Sequence, residues 1–107
     1  MATAATHVPA MEIDRYVVET LMPDLVGHDR HPSAFLVYLF LWSATGGGKN
    51  PAQVSLAEIA GGTGISKRAV QGALERLTRR ELIQVEREGI TAVPRYTLNR
   101  PWLRYRD

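Results

Sequence analysis

Residues 55–82 read SLAEIAGGTGISKRAVQGALERLTRREL, and their spacing predicts two short helices joined by a glycine-bearing turn. Ser55-x-x-Glu58 has the form of a capping box: the serine oxygen accepts from the third helical N–H, and the glutamate reaches back to the serine N–H. Leu56, Ile59 and Ala60 then share one helical face. Gly61, Gly62, Thr63 and Gly64 are expected to break this helix, because glycine reaches positive φ at little steric cost. Ser66 is the next natural N-cap. Behind it, Val70, Ala73, Leu74 and Leu77 stand at i, i+3, i+4 and i+7, a stripe that must be buried. Lys67, Arg68, Gln71, Glu75 and Arg79 lie off that stripe, facing water or a partner.

Two helices joined in this way form a helix-turn-helix. Its second helix is held by its apolar back and offers its first turn and polar face outward. A B-form major groove admits such a helix, and the N–H groups and positive dipole end at its start attract phosphate. Arg68 has the fork that bonds a guanine edge, and Gln71 the amide that bonds adenine.

Working outward, the remainder of the chain supplies a core for this pair. Residues 1–8 are small and polar and are expected to be a disordered tail. A helix is predicted from Pro9, with Ile13, Tyr16, Val17 and Leu21 as its apolar stripe, ending before Pro23. PDLVGHDRHP, residues 23–32, then reads as a loop. Ser33 is the expected cap of a helix that is apolar or aromatic from Ala34 to Trp42. Such a helix must be covered on more than one side. The helix-turn-helix is the expected cover on one side, and the residue 10–22 helix and a second subunit on the other, with Phe35, Tyr38, Leu39 and Trp42 as the homodimer interface. GGGKNPAQ, residues 46–53, reads as a flexible connector. Its Gly48-Lys49 lacks the spacing of a phosphate loop, since Ser43 and Asn50 stand where Gly and Ser/Thr are required. Gln53-Val54 is compatible with a very short strand. Beyond the second helix, Leu82–Arg87 and Pro94–Leu98 alternate apolar and polar residues around Glu88-Gly89, the pattern of a β-hairpin. In the closing RPWLRYRD, Trp102, Leu103 and Tyr105 are expected to pack on the body or a partner, and Arg100, Arg104 and Arg106 to face solvent.

Composition narrows the function classes. One hundred and seven residues make one domain. A chain of this size buries roughly 65% of its unfolded surface without a staple. The absence of cysteine excludes a disulfide framework and a thiolate metal site. No apolar run reaches the ~20 residues of a membrane span, and MATAATHVPAMEID does not have the form of a secretory signal; a cytoplasmic location is expected. Net charge is +2 but unevenly placed. Residues 1–54 carry three Lys/Arg against five Asp/Glu, whereas residues 55–107 carry ten against six. The excess positive charge therefore falls in the half that holds the two-helix motif, as expected of a surface that meets a polyanion.

At this point the sequence resembles the winged helix-turn-helix DNA-binding domains. The resemblance rests on Ser55-x-x-Glu58-Ile59-Ala60, then Thr63-Gly64-Ile65-Ser66-x-x-Ala69-Val70-x-x-Ala73-Leu74-x-x-Leu77, then Leu82-Ile83 and the hairpin, about half the chain. Bacterial transcription regulators of the MarR and GntR type have this look. More loosely, Ile13–Leu25 and the apolar helix after it look like N-terminal domains of plasmid and phage replication initiators. The resemblance implies a mainly α fold with a small β-hairpin: a three-helix core plus wing, with an extra N-terminal helix. The parts would be N-terminal helices at 9–45, the helix-turn-helix at 55–80, the wing at 82–99 and an extension at 100–107. It also implies that Ser66, Lys67, Arg68 and Gln71 face the groove. Glu75 joins that face; Arg76, Arg79 and Arg80 would be phosphate contacts or structural surface charges, and Arg95 the wing contact. Family members place Gly just before the Leu-Ile of the first wing strand; here Glu81 stands there, so either the helix ends differently or Glu81 takes φ > 0. The wing tip is weakly basic, with Arg87 between Glu86 and Glu88.

The expected function is therefore sequence-specific binding of double-stranded DNA as a small bacterial, phage or plasmid transcription regulator, with replication initiation as the alternative role and no cofactor. A winged helix used for protein–protein contact is the competing class, since fold alone does not decide function. An enzyme is not expected. His28-x-x-His31 lacks a third metal ligand, and nothing indicates a convergent Ser/His/Asp set.

Overall fold

The computed structural model describes residues 8–103; the expectations for residues 1–7 and for Arg104, Tyr105 and Arg106 lie outside them. The chain is mainly helical with a small three-stranded antiparallel sheet. Its elements are two consecutive π-helical stretches, Val17–Leu21 and Pro23–His28, then α1 (Pro32–Ala44), β1 (Ala52–Gln53), α2 (Leu56–Thr63), α3 (Lys67–Arg79), β2 (Ile83–Glu86), β3 (Arg95–Leu98) and a 3-10 turn, Pro101–Leu103. The strands are ordered β1-β3-β2. Ile83 pairs with Leu98 and Val85 with Tyr96, while Ala52 also pairs with Tyr96. The short strand expected at Gln53-Val54 thus starts one residue earlier and becomes the third strand.

The caps read from the sequence are present. Ser55 Oγ accepts from the Glu58 N–H at 3.1 Å, and Glu58 Oε1 accepts from the Ser55 N–H at 2.8 Å. Ser66 Oγ accepts from the Ala69 N–H at 3.0 Å. The glycine break is narrower than expected. Gly61 and Gly62 lie inside α2, and Gly64 alone of this group takes a left-handed conformation, φ +84°. Gly62 has a packing role instead: a Cβ there would stand 2.2 Å from Cε1 of Phe40, so the missing side chain lets α2 close on α1.

The N-terminal third departs most from expectation. Residues 8–14 are not helical, and Pro23 does not end the helix; Pro23–His28, expected as a loop, continues it. The Met22 N–H bonds Val17 O and the Asp29 N–H bonds Asp24 O, both across five residues. Proline lacks an N–H, and in an α-helix its ring crowds the carbonyl four residues back. A widened turn relieves that contact, so the chain passes through Pro23 as a π-helix. α1 begins at Pro32 in the first helical position with His31 as N-cap, rather than at a Ser33 cap; a proline there has no N–H left to cap.

One core joins these elements. Val17, Leu21 and Leu25 from the π-helical stretches meet Ala34, Phe35, Val37, Tyr38, Leu41 and Trp42 from α1. Ile59, Val70, Ala73, Leu77, Leu82, Ile83, Tyr96 and Leu98 complete it. This burial corrects the expected dimer face. Phe35, Tyr38 and Trp42 are 7%, 0% and 2% exposed, and Leu39 is half-buried against the same core. The chain's own π-helical segment, α2, α3 and β3 cover α1 on several sides. These side chains have little apolar surface left for a second copy. The 46–53 connector is also tied down. Thr45 Oγ1 donates to Leu41 O at 2.7 Å and accepts from the Gly48 N–H at 2.9 Å, and both Lys49 and Asn50 N–H groups bond Thr45 O. Gly46, Gly47 and Gly48 supply the positive φ values that this tight reversal needs.

The end of α3 resolves the question at Glu81, which adopts φ +60°. The Leu82 N–H bonds Leu77 O and the Glu81 N–H bonds Thr78 O, the pair of bonds that defines a Schellman motif. A non-glycine residue in this conformation costs about 1–2 kcal/mol. Glu81→Gly is therefore expected to raise the free energy of unfolding by about 0.5–1 kcal/mol, after the unfolded-state entropy of glycine is deducted. Glu81→Ala, which keeps Cβ, should change it little. Urea unfolding of the three proteins checks both, and an equal gain from alanine would count against the strain account.

Candidate nucleic-acid interface

α3 owes its amphipathic character to the i, i+3, i+4, i+7 stripe. Val70, Ala73 and Leu77 are buried and Leu74 half-buried. At about 100° per residue, Lys67, Gln71, Thr78, Glu75, Arg68 and Arg79 spread over an arc of about 120° on the opposite side. All six are exposed. Ser66 is exposed as well, with its oxygen committed to the cap. The turn before α3 is short because Gly64 closes α2 with its N–H on Ala60 O. The first turn of α3, its end capped by a serine, is packed through Val70 and leaves Lys67, Arg68 and Gln71 exposed.

The hairpin runs back along this helix. Thr78 lines one hollow with Ile83, Gln84 and Val85. Leu74, Glu75, Thr78 and Arg79 line the next, of about 510 Å³, with Val85, Arg87 and Tyr96. As the strand proceeds from Ile83 to Arg87, its neighbours on α3 move toward the N-terminus. The arm that leads to the hairpin tip thus lies against residues 74–79 of α3, with Arg87 beside Glu75 and Arg79.

Three of the expected contacts, Arg76, Arg80 and Arg95, are placed differently from the rest. Arg76 does not join the exposed arc: its Nη1 lies 3.7 Å from Asp29 Oδ2, on the side of α3 that meets the π-helical segment. Arg80 is committed to the same segment, bonding Asp24 Oδ2 and, at 3.4 Å, Asp29 Oδ1. Arg76 and Arg80 are structural charges. Arg95 is exposed but pairs across the sheet with Glu86 and Gln53. That register puts it on the face opposite Tyr96 and Leu98 and so away from α3. Arg87 is the hairpin cation that shares a hollow with α3. Its signal was strand parity, because Ile83, Val85 and Arg87 are spaced by two and face one side.

Partnering separates the cations further. Among the described residues, Arg15, Arg76, Arg80 and Arg100 form ion pairs. Lys67, Arg68, Arg79, Arg87 and Arg95 form none among those residues, and outside α3 and the hairpin only Arg30 and Lys49 share that state. Arg100, expected in solvent, bonds Asp14 Oδ2 at 2.8 Å and Gly47 O at 3.0 Å, with its guanidinium carbon 5.2 Å from the centroid of the Trp42 ring. The free positive charge is thus concentrated on α3 and the hairpin, with Glu75, Glu86 and Glu88 as its acidic neighbours.

Asp24, His28 and Asp29 bring three potential metal-ligand atoms within 4.8 Å of one another; His31, the second histidine of the H-x-x-H spacing, is not among them. Arg80 and Arg76 already serve these carboxylates. A cation entering there would displace one guanidinium and face the charge of another, so the arrangement is that of an ion-pair cluster. No helix among the described residues is long and apolar enough to cross a membrane. Comparison of the chain with family models, with curated proteins and with solved structures finds no match.

Proposed function

We propose that this chain is a winged helix-turn-helix protein that binds double-stranded DNA, with α3 in the major groove and the β2–β3 hairpin as its wing. The observation that carries the reading is the single exposed arc of Lys67, Arg68, Gln71 and Arg79 on a capped helix, flanked by a hairpin that brings Arg87 beside Glu75 and Arg79. A B-form major groove about 12 Å wide accepts a helix presented in this way. Arg68 and Gln71 are the base readers: a guanidinium bonds guanine O6 and N7 in bidentate fashion, and a glutamine amide bonds adenine N6 and N7. Lys67, Arg79 and Arg87 hold the backbone, with the α3 N-terminus adding its dipole. Ser66 fixes the first turn through its cap.

The test is fluorescence anisotropy with a random-sequence duplex across a salt series. Each phosphate contact contributes about −0.9 to the log–log slope, so three or four contacts should give a slope of about −3 to −4. On a site selected from a random library, Arg68→Ala with Gln71→Ala should weaken binding by about 100-fold. That is about 2.8 kcal/mol at 1.4 kcal/mol per tenfold. The same pair should reduce binding to random duplex by less than about tenfold, because phosphate contacts carry most of that affinity. No duplex binding at low salt would sink the reading and favour a winged helix that contacts protein.

A further inference from the structure

We propose that Ile90 is an apolar wedge that enters a base step of the DNA minor groove and kinks the duplex; this rests on the duplex-binding reading above. Ile90 is 93% exposed, more than any other large hydrophobic side chain described. The Ala92 N–H bonds Gly89 O at 3.2 Å, which closes a turn over Gly89–Ala92 and makes Ile90 and Thr91 its two central residues. Ile90 thus stands at the extreme tip of the hairpin, beyond the arm whose Arg87 shares a hollow with Glu75 and Arg79 of α3. The core does not use it.

The chemistry of the tip decides what it can meet. Gly89-Ile90-Thr91-Ala92-Val93 carries no charge, so this segment cannot hold phosphates by Coulomb attraction. It offers apolar surface, with Val93 of the same segment 42% exposed. The charges lie on the shoulders behind it. Arg87, just after β2, and Arg95, in β3, stand on the two arms of the hairpin and on its opposite faces, so a cation lies behind the tip on either side, where the two phosphate walls of a minor groove about 6 Å wide would pass. Glu86 and Glu88 repel those walls and disfavour a hairpin lying flat along the backbone. An uncharged apolar tip with cations behind it is the composition of a side chain that unstacks a base step, as isoleucine wedges do at kinks of 20–90°. Pyrimidine–purine steps, the most easily unstacked, are the chemistry it would select.

The experiment uses the full chain and 20-bp duplex pools labelled at both ends, one pool with a central TA step and one without. Energy transfer between the ends reports bending, and anisotropy reports affinity. Wild type and Ile90→Met should shorten the end-to-end distance and bind the TA pool more tightly. Ile90→Ala should still bind, with about tenfold lower affinity for the TA pool and with end-to-end transfer returned toward that of free duplex. Since Ile90 is outside the core, circular dichroism of the variant should match wild type. Binding without shortening by wild type, or Ile90→Ala that binds and bends as wild type does, would overturn the wedge and leave the DNA reading intact. Failure of wild type to bind either pool would remove both.

Discussion

Arg80→Ala is expected to lower the free energy of unfolding by about 3 kcal/mol, within the range for breaking a buried ion pair by removing one partner. Arg80 joins the C-terminal end of α3 to the π-helical segment through Asp24 and Asp29. The Asp29 side chain is only 4% exposed. Its Oδ1 receives His28 Nδ1 at 2.9 Å as well as Arg80, but its Oδ2 is buried without a hydrogen-bond partner, and the Arg76 cation beside it is 3.7 Å away. Without Arg80 the carboxylate keeps one hydrogen bond and one distant charge, against a large desolvation cost. Arg80→Lys restores charge without the two-pronged geometry and should recover only part of the loss. Urea titration at pH 7 measures these differences, and a loss under about 1 kcal/mol would show that the cluster is held mainly by something else.

The same cluster gives an acid-range expectation. The hydrogen bond from His28 lowers the Asp29 pKa most; burial opposes it, and the charges of Arg80, Arg76 and His28 add to the lowering. A carboxylate whose folded pKa is depressed contributes stability above its unfolded pKa, about 4, and loses that contribution as pH falls through the folded value. Stability of the wild type should therefore decline below about pH 4. Asp29→Asn should be less stable at pH 7 and show a shallower acid limb. A limb of unchanged steepness in Asp29→Asn would assign the acid loss to other carboxylates.

Trp42→Ala is expected to cost about 4 kcal/mol, a large share of the 5–15 kcal/mol typical of a domain. Trp42 is 2% exposed and is the point where distant parts of the chain meet. Its indole N–H donates to Glu12 O at 2.8 Å. Its ring stacks with Trp102 at 6.4 Å and 8°, lies under Arg100, and limits the space at Gly47 to 3.5 Å from a notional Cβ. Trp102 in turn stacks on Tyr16 at 4.5 Å and donates to Asp14 Oδ2 at 2.9 Å. Truncation leaves a cavity and releases the segment before the π-helices, the glycine turn and the 3-10 turn together. Trp42→Phe keeps most of the apolar volume and should cost about half as much. Thermal melts followed by near-ultraviolet dichroism would register both. A Trp42→Ala protein within about 1 kcal/mol of wild type would mean that the three segments are held independently of the ring.

Local chemistry was legible wherever a residue acts on its own backbone neighbours. Ser55, Glu58 and Ser66 start helices because a side-chain oxygen reaches an N–H three residues on, a contact set by spacing alone. The hairpin, the apolar stripe of α3 and its exposed polar arc followed from periods of two and 3.6. The positive φ at Glu81 was one of two outcomes read at that position. Tertiary structure decided whatever depends on a distant partner. Pro23 does not stop its helix, because a π turn makes room for the ring and Val17, Leu21 and Leu25 are buried along it. The apolar α1 needs no second copy at Phe35, Tyr38 and Trp42, because segments far apart in sequence cover it. Arg76, Arg80 and Arg100 look like Lys67, Arg68 and Arg79 in a sequence. They differ only in that Asp29, Asp24 and Asp14, tens of residues away, are folded against them. By itself the sequence determined α2, α3 and the hairpin and which face of α3 is polar, since those are local and periodic. Which cations are free to meet a partner was decided by the fold, because a charge is spent or spared by what long-range packing places beside it.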